Sequence, residues 1–341
     1  MVPYQRRPSL DDMIRLTAAE PVHPAQVSRV LGEHYGLAGQ LQRLPGEADD
    51  NFVLRTATAE RYVVKFAHPH TDPAVIDLQG RVLQHLETTG IPAQRVIPAV
   101  GGELWLTAEG RIVLVTSYLD GTPMRDTRMT APLRRQLGVT LATLGQALSG
   151  LEGSPHRPLL WDIAQLPTLR PLVDELPPQL DRTLLTHLID RFEDRTEPLL
   201  GKLRTQLVHN DFNVDNILFS AASGEITGIL DFGDMTVTAL ANDVAVAACY
   251  HEPSQALDLI GGYHARTPLT EAEQALLPDL ILARLTARVA IPRWRAVRFP
   301  DNQEYILRSA SAAWSQLTAL LTVPEGQFAS RIHATCEGAA R

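Results

Sequence analysis

The chain has 341 residues, is 45% hydrophobic and 21% charged, and carries a net charge of −8. That composition is ordinary for a globular protein of one large or two modest domains, and the acidic balance, with a pI near 5.8, argues against a nucleic-acid binder that works by neutralising phosphates. No apolar run approaches the length of a membrane span, Met1–Leu10 lacks the apolar core of a secretory signal, and Cys249 and Cys336 form no metal or disulfide pattern, so a reducing cytoplasm is the expected setting.

Pro24–Tyr35 reads as a short helix stopped by Gly36. Strand-like runs follow at Gln40–Leu44, Asn51–Thr56 and Arg61–Phe66, separated by turn residues. Asp72–Thr89 has helical spacing at Val75, Leu78, Val82, Leu83 and Leu86 and ends at Gly90 and Pro92. Leu104–Leu106 and Arg111–Leu119 predict a hairpin across Ala108-Glu109-Gly110. A small β-rich lobe over residues 1–119 is therefore expected, closing at Asp120-Gly121-Thr122-Pro123. Residues 120–341 read as a larger, mostly helical lobe. Helices are expected at Ala131–Leu148, Pro178–Leu200, Ser254–Tyr263, Glu271–Trp294 and Asn302–Leu321, with Pro-rich Leu166–Pro178 as a surface connection. Short strands are expected at Gln206–Val208, Ile217–Phe219 and Glu225–Leu230.

The ends of those last strands carry the residues with chemistry. Asp211 follows His209 by two residues, and Asn216 follows Asp211 by five, just before an apolar run. Asp231 closes a second apolar run in Ile229-Leu230-Asp231-Phe232-Gly233-Asp234. Phosphoryl transfer needs a carboxylate to take or orient a hydroxyl proton, and an amide oxygen and a carboxylate to hold Mg²⁺. Asp211 suits the first task; Asn216 and Asp231 suit the second. Antiparallel pairing of Ile217–Phe219 with Glu225–Leu230 would bring both metal candidates to one cation. Each of these residues alone reads better as a turn or segment cap than as a functional group; their joint spacing points to a kinase.

His209-Asn210-Asp211-Phe212-Asn213-Val214-Asp215-Asn216 resembles the catalytic loop of the aminoglycoside phosphotransferase and choline kinase family, and Ile229 to Asp234 resembles its metal-binding strand end. The likeness runs from about Val22 to Leu321. Within the family it leans toward hydroxylysine kinase-like and aminotransferase-fused kinase domains, on Leu44-Pro45-Gly46-Glu47-Ala48-Asp49-Asp50-Asn51-Phe52, Asp77-Leu78-Gln79 and Pro300-Asp301-Asn302-Gln303-Glu304-Tyr305. The resemblance implies an α+β, bilobal protein-kinase-like fold. It also implies a phosphotransferase that moves the γ-phosphoryl group of ATP or GTP to an alcohol, with Mg²⁺.

Lys65, in Tyr62-Val63-Val64-Lys65-Phe66, is expected to meet the α- and β-phosphates. Its usual Glu partner on the next helix is replaced, with Gln79 at the matching position and Asp77 nearby. The two point about 200° apart, so only one can face Lys65, and Gln79 is the expected one. Pro45–Asn51 occupies the place of the phosphate-covering loop. There Asn51 can donate to a phosphate, while Glu47, Asp49 and Asp50 would repel it unless turned outward. By resemblance, Ser117, Tyr118 and Leu119 contact the base.

For the acceptor, Asp234 and Asp243 form an acidic pair suited to an amine, although Asp243 reads equally as the N-cap of a helix Val244–Tyr250. Asp215 faces either solvent or the acceptor. Arg284, Arg288, Arg293, Arg295 and Arg298 read as a solvated face or as bonded to nearby carbonyls or, more sharply, as supplying a clamp for an acceptor carboxylate. Rival readings are a pseudokinase-like nucleotide-binding regulator, an aminoglycoside-type phosphotransferase, and a metal-dependent hydrolase built on His209, Asp211, Asp231 and His251. No nucleic-acid or membrane partner is expected.

Overall fold

A computed structural model describes residues 10, 19–46, 49–153, 158–177 and 180–339. Glu47 and Ala48 of the expected phosphate loop, and the Pro178 start of one expected helix, lie outside the described residues. Contacts divide the chain into two compact units. One joins Leu16–Asp126 with Asp215–Gly233; the other joins Met1–Arg15, Thr127–Val214 and Asp234–Arg341. Among the described residues no helix is long and apolar enough to cross a membrane.

The first unit is built on an antiparallel sheet in the order β1-β2-β3-β5-β4. The strands are β1 (Gly39–Leu44), β2 (Asp50–Thr56), β3 (Arg61–Phe66), β4 (Leu106–Ala108) and β5 (Arg111–Ser117). Phe52, Leu54, Val64, Phe66, Val113 and Val115 line one buried cluster with Val27, Val30 and Leu31 of the helix Pro24–Tyr35. That alternation fixes the register, because a one-residue slip would turn the set outward. The helix opens with a reciprocal cap between His23 and Gln26 and stops at left-handed Gly36.

The β4–β5 strands sit two residues later than expected at their first end, because the turn is Glu109-Gly110, both at positive φ (53° and 68°). Such a turn matches the strand twist. Glu109 is not glycine, and it is held there by Gln26 Nε2 at 2.9 Å and by Arg29. Residues 215–233 add a hairpin, Ile217–Ser220 with Glu225–Ile229, extended by Thr122–Pro123. Ile229 N–H donates to the Pro92 carbonyl at 2.7 Å, which ties the hairpin to the segment after the helix Pro73–Leu86.

The second unit is helical, with one two-stranded ribbon, Thr205–Val208 with Thr236–Ala239. Helices Ala131–Leu148 and Pro253–Arg266 cross closely. A Cβ on Gly138 would sit 1.9 Å from the Leu259 carbonyl oxygen, and one on Gly262 would sit 2.2 Å from that of Arg135. Glycine is therefore required at both positions by backbone contact.

Of the expected surface connection Leu166–Pro178, the described part to Pro177 is not one. It forms a 3₁₀ turn, Ile163–Leu169, and a short helix, Arg170–Asp174, burying Ile163, Leu166, Leu169, Leu172 and Leu176. Their spacing of three to four residues is the signal of that tight period. The expected single helix to Leu200 breaks into Arg182–Arg191, a wide turn at Phe192–Thr196, and Glu197–Leu200. Pro198 lacks the N–H that would reach Asp194, so the α-ladder cannot run through. The Asn302–Leu321 helix is interrupted at Arg308-Ser309. Helix Gln327–Ala339, which buries Phe328, Ile332 and Cys336, was not expected.

Replacing Gly138 with alanine gains up to about 1 kcal/mol of helix propensity, but it forces the two backbones apart, a change that costs about 1–3 kcal/mol or more. Gly138→Ala is expected to lower the urea midpoint without changing the slope of unfolding. A midpoint at or above the wild-type value would show that this crossing is not close.

Candidate active site

In the second unit, strand Thr205–Val208 delivers the chain into His209 and Asn210, both fully buried. Asn210 adopts φ 61°, a left-handed conformation that Asn tolerates better than most residues. Its N–H donates to Asp243 Oδ1 at 2.8 Å. Asp211 N–H donates to His209 Nδ1 at 3.2 Å, and Asn213 N–H to the Asp211 carbonyl at 2.9 Å. Half-buried Asp211 is thus presented by a backbone pinned on both sides.

Asp243 does not cap a helix Val244–Tyr250. The helix starts earlier, at Leu240–Ala248, with Ala239 as its N-cap, because every residue of that Ala- and Val-rich run is buried. Asp243 lies inside its first turn, 4% exposed. Burial raises its carboxyl to about pH 6; backbone bonds from Asn210 and His209 and the charge of Arg284 pull the other way. Asp234 ends the short turn Phe232–Asp234 and is half-buried, while Phe232 is buried.

In the first unit, the hairpin closes with Ile217 opposite Ile229, and Leu230 N–H donates to the Asn216 carbonyl at 2.8 Å. Asn216 and Asp231 therefore leave neighbouring strand ends. Asp231 takes φ 57°, and its Oδ1 accepts the Gly233 N–H at 3.3 Å. A half-exposed amide and an exposed carboxylate are hard oxygen donors, the set that suits Mg²⁺ when water and nucleotide supply the remaining ligands. Among the described residues no three His, Cys, Asp or Glu side chains gather as a metal site. His251, which a hydrolase would need, is buried beside Pro253, Ile281 and Phe328, and burial lowers its pKa to about 4.

Across β2 and β3, Asn51 pairs with Lys65, so both side chains share one face of the sheet. The Lys65 ammonium lies 3.5 Å from Asp49 Oδ2, while Asp49 Oδ1 accepts the His68 N–H at 2.8 Å. Asp49 is therefore not turned outward, and sequence reasoning missed it as a partner of Lys65. Gln79 is buried, and its Oε1 accepts no hydrogen bond; Asp77 is engaged by Arg81 at 2.8 Å. Asp50 is absorbed by Arg43 and Arg111. Ser117 N–H donates to the Arg95 carbonyl at 2.8 Å and Tyr118 N–H to that of Arg61 at 3.1 Å, which fixes the connection expected to meet the base; Leu119 follows, half-buried. Asp215 is paired with Arg125 at 2.7 Å.

Of the expectations for the arginines of helix Glu271–Arg298, bonds to nearby carbonyls are what Arg284, Arg288 and Arg293 make. Arg284 and Arg288 are 1% and 4% exposed. Arg288 stacks on Tyr250 at 3.6 Å and donates to the Cys249 carbonyl and to Gln316. Arg293 donates to the carbonyls of Val289 and Ala310. Arg298 stacks on buried Trp294 at 3.8 Å and pairs with Glu175. Arg284 donates to the Trp161 carbonyl, lies 5.0 Å from the centre of the Trp161 ring, and reaches Asp211 Oδ1 at 3.3 Å.

The model of the phosphotransferase enzyme family matches residues 40–278. Hydroxylysine kinase of Danio rerio is 26% identical over 321 residues, covering 87% of this chain and 90% of its own. Homoserine kinase of Azorhizobium caulinodans is 27% identical over 280 residues, covering 76% and 84%. Among solved structures, an amicoumacin kinase in complex with AMP-PNP and Ca²⁺ superposes with a TM-score of 0.65 at 16% identity over 92% of this chain and 94% of its own. That likeness gives the protein-kinase-like fold, with a β-rich N-terminal part and a helical C-terminal part.

Because the folded pKa of Asp243 lies above the ordinary 3.8, its neutral form contributes stability in full below about pH 4, and that contribution is lost as pH rises through about 6. Asp243→Asn keeps the acceptor for Asn210 and removes the titration. The wild-type advantage in unfolding free energy over this variant is expected to shrink between pH 4 and 7, by on the order of 3 kcal/mol. Parallel stability curves for the two proteins in a pH series of urea titrations would refute the assignment.

Proposed function

The chain belongs to the phosphotransferase enzyme family, and we propose that it moves the γ-phosphoryl group of ATP or GTP to the hydroxyl of a small amine-bearing acceptor, a hydroxy amino acid or amino alcohol. The observation that supports this most directly is the hairpin in which Leu230 bonds back to Asn216, so that an amide oxygen and the Asp231 carboxylate emerge from adjoining strand ends.

On this reading Asp211 receives or orients the acceptor hydroxyl. In a loose transition state orientation is the larger share of its task, since the proton need not leave early. Lys65 meets the nucleotide phosphates, with Asn51 as a donor on the same sheet face. Asp49 must give up the Lys65 ammonium when phosphate arrives, because two anions would otherwise compete for one cation. Asn216 and Asp231 would hold Mg²⁺, which when bound neutralises charge on the phosphates. Gln79 shapes the helix side of this region without supplying a charge, and Ser117 to Leu119 offer the base a bonded, fixed backbone.

The acceptor reading draws on two observations. Hydroxylysine and homoserine, named in the relatives, each carry a hydroxyl, an amine and a carboxylate. Of the acidic pair, Asp243 holds the loop at Asn210, and Asp234, half-buried at the end of the turn Phe232–Asp234, is the carboxylate proposed for the amine. A cytoplasmic setting with free nucleotide fits this chemistry.

Asp211→Ala is expected to abolish turnover while nucleotide still binds; more than a few per cent residual turnover would remove Asp211 from its role. Asp231→Ala should lose Mg²⁺-dependent nucleotide binding, as read by calorimetry with and without the ion. A panel of hydroxy amino acids, amino alcohols and aminoglycosides, run with ATP and with GTP, identifies the acceptor class. Turnover confined to amine-free alcohols would overturn the assignment of the acceptor.

A further inference from the structure

Resting on the reading of Asp211 as the residue that orients the hydroxyl, we infer that Arg284 is its positioning residue: the guanidinium fixes the direction of the Asp211 carboxylate. Arg284 is the largest fully buried side chain among the described residues, at 1% exposure. Burying a guanidinium costs several kcal/mol unless it is paired and bonded. Its Nε is buried and finds no hydrogen-bond partner among the described residues, so part of that cost stands uncompensated there. An arginine held at such cost, with Asp211 as its ion-pair partner, is placed for that partner.

The geometry gives the direction of the effect. Two of the anchors of Arg284, the carbonyl and the ring of Trp161, are neutral and independent of Asp211. Trp161 precedes the buried turn Ile163–Leu169, with Asp162 as its cap. The guanidinium is thus located first, and Nη2 then reaches Asp211 Oδ1 at 3.3 Å. A planar fork holds both partners at a fixed geometry; a lysine ammonium is a compact point charge on a flexible stem and does not reproduce that geometry.

Other charged and titratable groups around Asp211 are already committed. Asp243 bonds Asn210, Arg288 bonds the Cys249 carbonyl and Gln316, and burial keeps the Cys249 thiol and the Tyr250 hydroxyl protonated. His209 accepts the Asp211 N–H through Nδ1. The same three contacts exclude Arg284 as a clamp for the acceptor carboxylate.

Four variants test this: Arg284→Met, Arg284→Lys, Arg284→Ala and Asp211→Asn, each checked by thermal melting and nucleotide binding. Arg284→Met is expected to lower kcat about 10–100-fold, the usual scale for a group that orients a reacting one, with the KM for nucleotide unchanged. Arg284→Lys should not restore it. Arg284→Ala should regain turnover with added guanidinium ion and not with urea, which has the same shape and no charge.

A kcat within twofold of wild type in Arg284→Met overturns the inference, as does equal rescue by urea. Should Arg284→Met fail to fold, Arg284→Lys carries the test: lost kcat at constant KM supports it and full kcat defeats it. Asp211→Asn separates the two claims. If it is inactive while Arg284→Met is active, only the role of Arg284 falls. If it stays active, the reading of Asp211 falls, and the role of Arg284 with it.

Discussion

The direction of the loop that carries Asp211 depends on one buried hydrogen bond, from the Asn210 amide to the Asp243 carboxylate. A left-handed residue that is not glycine costs on the order of 1 kcal/mol or more, and it persists only where its surroundings over-determine it. Here they do. Strand Thr205–Val208 is locked to Thr236–Ala239 on one side, and the all-buried helix Leu240–Ala248 carries Asp243 to the loop on the other. The bond carries its own cost, because burial holds Asp243 near pKa 6 and opposes its charge at neutral pH. Arg284 offsets part of that charge while it also reaches Asp211. Loop, helix and buried arginine therefore form one electrostatic system, and none of the three is at its own optimum without the others.

What the sequence made legible followed from strong local signals. Ala131–Leu148 and Arg61–Phe66 match their expected bounds: the helix begins at the Thr130 cap, and the strand after Arg61 is an apolar run broken only by Lys65. The pairing of Asn216's strand with that of Asp231 was readable because turn residues at 221–224 leave a hairpin as the short solution. The failures came where packing overrode pattern. Leu166–Pro178 looked solvated because of its prolines, yet its apolar residues recur at a 3₁₀ period and are buried. Phe328, Ile332 and Cys336 recur every four residues, a helical signal that was present and passed over. Thr236–Ala239 exists as a strand through its partner Thr205–Val208, a long-range pairing that no local window displays.

Charge was the least legible property, and the strand that carries Lys65 shows why. The usual arrangement puts a helix carboxylate against the strand lysine. Here the helix offers Gln79, whose oxygen accepts no bond, and the counter-charge arrives instead from Asp49 at 3.5 Å. Sequence spacing locates helix partners well, because the helix repeat is regular. It does not locate partners in an irregular loop, where the backbone rather than the repeat sets direction. Asp49 is aimed by its second oxygen, which accepts the His68 amide, a contact nineteen residues away in sequence.

The same argument bears on the acceptor. A cluster of arginines at helical spacing normally means solvent, because burying a cation is costly. In helix Glu271–Arg298 aromatic rings change that balance: Trp161, Tyr250 and Trp294 each lie against one guanidinium. Stacked arginines satisfy their planar faces on rings and their edges on carbonyls, so they become structural members of the interior rather than hands for a substrate. Arg284, Arg288 and Arg293 bond to carbonyls and Arg298 pairs with Glu175, while Asp243 accepts from Asn210 and Asp215 pairs with Arg125. On the proposed reading Asp234 meets the amine, and selectivity among hydroxy amino acids and amino alcohols rests more on shape than on a matched pair of charges.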